Sequence, residues 1–136
     1  MKTQSTLRAL GLFLITASPA FAADVVAERL VAYQSEGATD DFSAKRGREM
    51  WVEKFSQPNG KKARSCSGCH TDDPTAVGKH LRTGKRIEPL APSVNPERLS
   101  NARDIEKWFK RNCKWTVGRE CLPQEKGDIL TYLRSL

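Results

Sequence analysis

Residues Arg64 to Thr71 read R-S-C-S-G-C-H-T. Two cysteines two residues apart, with a histidine directly after the second, constrain this chain more than any other feature. One turn of helix brings Cys66 and Cys69 to the separation at which two thiols can add to the vinyl groups of a haem. His70 is then directed at the iron as its proximal ligand. A thioredoxin-like redox pair would need a βαβ setting, which the rest of the chain does not offer. A zinc site built from Cys66, Cys69, Cys113 and Cys121 would have a C-x₇-C second arm, wider than the common zinc patterns. The motif occurs once, so one covalent haem c is expected.

The start of the chain sets the compartment. Lys2 and Arg8 precede and enter an apolar stretch, Leu10 to Ala17, followed by Ala20-Phe21-Ala22. These are the three parts of a secretory signal peptide with an A-x-A cleavage site. Removing 22 of the 136 residues leaves 114, enough for one domain. No later apolar run is long enough to span a bilayer, so no membrane span is expected in the mature chain. All four cysteines lie beyond the leader, in an oxidising compartment. The formal net charge of +7 falls to +5 when Lys2 and Arg8 leave. Nucleic acid is excluded by export and by the lack of any nucleic-acid motif.

The mature chain reads as all-α. Residues 23–40 form a helical extension, with Val26, Leu30 and Tyr33 on one face. Residues 41–136 form the haem-binding domain. Its first helix is expected over about 42–55. The segment from Thr71 to Asn95 carries Pro74, Gly78, Gly84, Pro89 and Pro92 and no sustained period. A long irregular stretch wants something to wrap, and a haem would serve. A further helix is predicted from Asn101, its cap, to about Asn112, with Ile105, Trp108, Phe109 and Asn112 as its inner stripe. The last helix is predicted to begin at Pro123, with Ile129, Tyr132, Leu133 and Leu136 inward. Only 38% of the residues are apolar, so a covalent haem would add core that a small domain lacks.

The second axial position of the iron is the open question. Met1 and Met50 are the only methionines, both ahead of the motif. Met50, beside Trp51 and Phe55, reads as core. His80 is a possible sixth ligand, or a solvated residue between Lys79 and Arg82. Asn112 occupies the fourth position of the predicted inner stripe. It reads either as a helix-terminal asparagine or as a ligand. Cys113 and Cys121 lack a haem-attachment partner, and a disulfide between them is the economical pairing. It would close a loop of about nine residues, worth about 2–3 kcal/mol on the chain-entropy model, and would fix the backbone beside Asn112.

From Phe42 to Leu136 the chain resembles the SHP-type cytochromes c, the sphaeroides haem protein group. The matching pieces are S-C-S-G-C-H, R-T-G-K-R-I-E-P-L-A-P-S-V-N-P-E-R, E-K-W-F-K-R-N-C, V-G-R-E-C and E-K-G-D-I-L. The resemblance implies a class I cytochrome c fold, haem on Cys66 and Cys69, His70 as proximal ligand and Asn112 as distal ligand. It also implies a Cys113–Cys121 disulfide. Asn112 would leave the ferrous iron, which then binds O2, NO or similar small ligands. The implied electron donor is a periplasmic dihaem cytochrome c, served by a membrane b-type cytochrome. Trp108 and Phe109 are expected to keep the pocket apolar. In such a fold the first and last helices of the domain cross where a small residue meets an aromatic, and Gly47 and Tyr132 are suited to this. Lys61, Lys62, Arg64, Lys79, Arg82, Lys85 and Arg86 flank the site and suit an acidic redox partner. The contrasting reading is a plain electron carrier with His80 or Met50 as a permanent sixth ligand.

Overall fold

A computed structural model describes residues 24–136; the signal peptide expected over 1–22 lies outside them. The described residues form five α-helices, one 3-10 turn (Pro58–Gly60) and one short ribbon. The helices and strands are α1 (Val25–Ser35), α2 (Ala44–Val52), α3 (Ser67–His70), β1 (Gly78–Lys79), β2 (Arg86–Ile87), α4 (Ala102–Thr116) and α5 (Pro123–Arg134). β1 and β2 pair antiparallel, Gly78 opposite Ile87. None of these helices is long and apolar enough to cross a membrane.

Local chemistry explains the helix starts. Asp24, Ser43 and Asn101 each accept a hydrogen bond from the backbone N–H three residues on, capping α1, α2 and α4. Pro123 opens α5, and Glu125 reaches back to accept from the Leu122 N–H at 2.8 Å. α1 stops before Gly37, whose φ of 111° no other residue adopts cheaply.

The core lies between α2 and α5. Trp51 stands edge-on to Tyr132, ring centroids 6.1 Å apart, among Met50, Ile129 and Leu133. The crossing depends on Gly47. A Cβ there would lie 2.6 Å from the Asp128 carbonyl carbon and 2.8 Å from the Tyr132 Cβ. A second glycine, Gly127, is pressed against the Phe42 ring. Asp128 closes the same contact. Its buried carboxylate accepts from the Ser43 N–H at 2.7 Å, from Arg46 Nε at 2.8 Å and from Gln124 Nε2 at 3.2 Å.

α1 belongs to this body. Tyr33 is fully buried and shares a cluster with Val26, Ile105 and Leu130. Burying a side chain of that size contributes about 2–3 kcal/mol. The Tyr33 hydroxyl donates to Glu106, which also pairs with Arg29 and Lys126 at 3.0 Å each.

Two sequence expectations need correction here. α2 ends at Val52, three residues short of the predicted end, because Phe55 leaves the helix to pair with Arg64. α4 runs four residues past Asn112 to Thr116. Asn112 is therefore an interior helical residue, and the left-handed end predicted for it does not form.

Candidate haem site

Cys66 precedes the single turn of α3, which ends on His70. The His70 N–H donates to the Cys66 carbonyl at 3.1 Å, so the attachment turn is helical as its spacing requires. Cys66 and Cys69 carry free thiols. Burial pushes the Cys66 thiol up to about 11. The His70 imidazole is pushed down to about 4, by burial first and then by the neighbouring Arg98 and His80. It is neutral at physiological pH, the form that ligates a metal. Its Nδ1 is buried and no described protein atom satisfies it.

Three contacts aim this turn. Gly78 lies so close that a Cβ there would meet the His70 Cα at 3.0 Å. The Leu81 N–H reaches the Cys69 sulfur at 3.5 Å. Thr71, directly after His70, takes a φ of 64°, a strained choice for a β-branched residue costing about 1–3 kcal/mol. The Trp51 indole N–H holds the Thr71 carbonyl at 2.9 Å, and the Trp51 ring lies 5.6 Å from the His70 ring.

α4 shows two faces. Ile105, Cys113 and Thr116 are buried, and Phe109 packs with them against the core. Trp108, Asn112 and Trp115 recur at i, i+4 and i+7, roughly a quarter turn away at 3.6 residues per turn. That face is open: Trp108 and Trp115 are 45% and 37% exposed, and Asn112 is exposed. The predicted inner stripe therefore divides. Ile105 and Phe109 turn to the core; Trp108 and Asn112 do not. Trp115 was not foreseen, although its spacing from Trp108 and Asn112 would have revealed it had the helix been extended. The structure pairs Cys113 with Cys121, Cα atoms 5.6 Å apart, directly beside Asn112.

The alternative ligands are engaged in other contacts. Met50 is buried in the core with Cys113 and Leu133. His80 shapes a tight turn, its Nδ1 accepting from the Arg82 and Thr83 N–H groups at 3.3 and 3.2 Å.

These residues fit a covalent haem. Two unpaired thiols and a neutral imidazole stand on one helical turn, with an unsatisfied buried nitrogen. An α4 face with two part-exposed tryptophans, Trp115 under the Arg64 guanidinium, is turned away from the core, and exposed apolar patches of this kind mark binding surfaces. Fold and site together define a monohaem c-type cytochrome, in which Cys66 and Cys69 would carry the haem c and His70 would ligate it.

Relatives agree. A family model described as a domain of unknown function, DUF1924, matches residues 37–133. The cytochrome c-type protein SHP of Cereibacter sphaeroides is 41% identical over 127 residues, 93% of this chain and 96% of that protein. The structure of oxidised SHP, an oxygen-binding cytochrome c, superposes with a TM-score of 0.72 at 36% identity, over 82% of this chain and 96% of that one. The solution structure of Methylophilus methylotrophus cytochrome c″, described as bearing on haem-ligand detachment, gives a TM-score of 0.68 at 34% identity, over 82% and 90%. The chain belongs to the SHP family of c-type cytochromes.

Proposed function

We propose that this chain is a periplasmic cytochrome whose Asn112 holds the sixth position of the iron in the oxidised protein and releases it on reduction. Release opens that position to O2, NO or a similar small ligand. The observation that carries the reading is the outward face of α4, where the exposed Asn112 stands between Trp108 and Trp115. When bound, haem supplies a one-electron centre with affinity for diatomic gases.

The residues divide the work. Cys66 and Cys69 tether the group, and His70 offers a neutral imidazole from one side. The Asn112 amide oxygen is a hard, neutral donor, which suits ferric better than ferrous iron. It grips one oxidation state and yields the other. Trp108 and Trp115 would give it an apolar flank on each side. Once swung aside, the Asn112 amide N–H is free to donate a hydrogen bond to an incoming ligand. Oxygen binding by SHP and ligand detachment in cytochrome c″ support this reading by kinship. The core position of Met50 and the turn-forming role of His80 speak against either as a permanent ligand.

Lys61, Lys62, Lys79, Arg82 and Lys85 are exposed and form no ion pair among the described residues. They support docking of an acidic-surfaced electron donor. By family resemblance the donor is a dihaem cytochrome c fed by a membrane b-type cytochrome. The leader over residues 1–22 supports export to the periplasm.

Visible spectra in both oxidation states under argon test the proposal. The expected result is six-coordinate oxidised protein and five-coordinate reduced protein that takes up carbon monoxide at once. Asn112→Ala should change the oxidised spectrum and leave the reduced one unaltered. A six-coordinate reduced form that excludes carbon monoxide overturns the reading. Consumption of O2 or NO under steady electron supply reports turnover.

A further inference from the structure

Arg64 lies two residues before Cys66 and bridges the attachment segment to α4. Its backbone exchanges two hydrogen bonds with Phe55, at 2.8 and 3.0 Å. Its guanidinium carbon sits 3.5 Å from the Trp115 ring centroid, and its Nη1 donates to the Trp115 carbonyl at 2.7 Å. Gln57, from the same segment, donates to the Thr116 carbonyl at 2.9 Å. These carbonyls belong to the last turn of α4, where a helix leaves its acceptors without partners. Trp115 lies three residues beyond Asn112, one turn along the same face.

We propose that Arg64 is a positioning residue: its stacked and hydrogen-bonded hold on Trp115 fixes α4 against the haem-attachment turn and so sets how tightly Asn112 grips oxidised iron. The proposal rests on Asn112 being the distal ligand. A neutral amide bonds a metal too weakly to hold its own helix in register, so its approach must be set by neighbouring contacts. The Cys113–Cys121 bridge ties α4 to the start of α5, not to the segment that carries Cys66 and His70. Arg64, beside the single Gln57 hydrogen bond, supplies that second tie. A planar guanidinium stacks and donates at once; an ammonium cannot do both in this geometry.

Arg64→Lys keeps the charge and removes the stack and the fork. The expected result is a ferric Asn112 bond weakened by about 5–10-fold, within the usual range of coupling between sites. Two readouts follow. Imidazole added to the oxidised haem-loaded protein should bind about 5–10-fold more tightly, because it competes with Asn112. The midpoint potential should rise by about 40–60 mV, since tenfold corresponds to 59 mV for one electron. Loss of a nearby positive charge would lower the potential, so the sign separates the two causes. In an Asn112→Ala background Arg64→Lys should move neither quantity. Trp115→Leu removes the stacking partner and should repeat both shifts, which covers a failure of Arg64→Lys to fold. The proposal falls if Arg64→Lys leaves both readouts unchanged, or shifts them equally without Asn112. If Asn112→Ala itself leaves the oxidised spectrum and the imidazole Kd unchanged, the ligand assignment falls and takes the clamp with it. If Asn112→Ala changes them and Arg64→Lys does not, the clamp alone falls.

Discussion

Adding one methyl group to α2 should loosen the domain, although it improves the helix. Alanine exceeds glycine in helix propensity by about 1 kcal/mol, so Gly47→Ala would stabilise an isolated α2. In the folded chain the new Cβ would stand 2.6 Å from the Asp128 carbonyl carbon and 2.8 Å from the Tyr132 Cβ. Ordinary carbon contacts are about 3.5–4.0 Å, so α2 and α5 must part by about 1 Å at their crossing. Neither obstacle can rotate away, because one is backbone and the other a Cβ. The Asp128 side chain also pins α5 to Ser43 and Arg46 at the start of α2. Overpacking of this kind costs about 1–3 kcal/mol. With the upper end expected here and the propensity gain subtracted, the net loss is about 2 kcal/mol. For a domain of this size that lowers Tm by about 6–12 °C. Thermal unfolding of the haem-loaded protein by far-ultraviolet circular dichroism reads the shift, and denaturant melts with an unchanged slope would confirm a native-state effect. A variant as stable as the parent would refute the claim that this crossing is packed to its limit.

Two other perturbations probe the polar contacts around the same helices. Asp128→Asn places an amide among the Ser43, Arg46 and Gln124 donors in a site where the carboxylate is 7% exposed. It should cost about 2–3 kcal/mol in denaturant melts, and Arg46→Gln should cost clearly less because Arg46 is half in solvent. Glu106 gives a pH dependence. Burial opposes its ionisation, but the Tyr33 hydroxyl, the Lys126 ammonium and Arg29 outweigh burial and lower its pKa below the usual 4.5. A depressed carboxyl contributes stability above its unfolded value and loses it as pH falls through the folded one. That contribution should be complete above about pH 4.5 and drain away below it. Glu106→Gln should flatten this part of a stability-versus-pH curve measured by urea titration.

Much of the fold was legible because local chemistry and tertiary need agree. Asp24, Asn101 and Pro123 begin helices where their side chains or missing N–H groups suit a helix start. Gly47 signalled a close approach because a mid-helix glycine needs a packing reason, and Tyr132 is its partner. The attachment turn was fully written in C-S-G-C-H. What was not legible depends on contacts distant in sequence. The Phe55–Arg64 pairing that shortens α2 leaves no periodic trace. A ribbon of two residues per strand has no alternation to read. The strained Thr71 is held by Trp51, twenty residues earlier.

The misplaced end of α4 bears directly on the site. In the sequence Asn112 reads as a terminus because asparagine tolerates left-handed backbone, and the spacing from Ile105 makes it the fourth inward position. The helix instead continues through Cys113, whose side chain is buried and bonded to Cys121. That bond fixes the helical phase. Each residue turns about 100° from the last, so a buried Cys113 rotates Asn112 out of the core and onto the face of Trp108 and Trp115. Three residues on, Arg64 and Gln57 hold the Trp115 and Thr116 carbonyls. Both restraints therefore lie just beyond Asn112 on the same stretch of helix. Sliding or unwinding α4 would have to break one of them. Rotation of the Asn112 side chain breaks neither, so the ligand release proposed for Asn112 would draw on that side chain's own torsions.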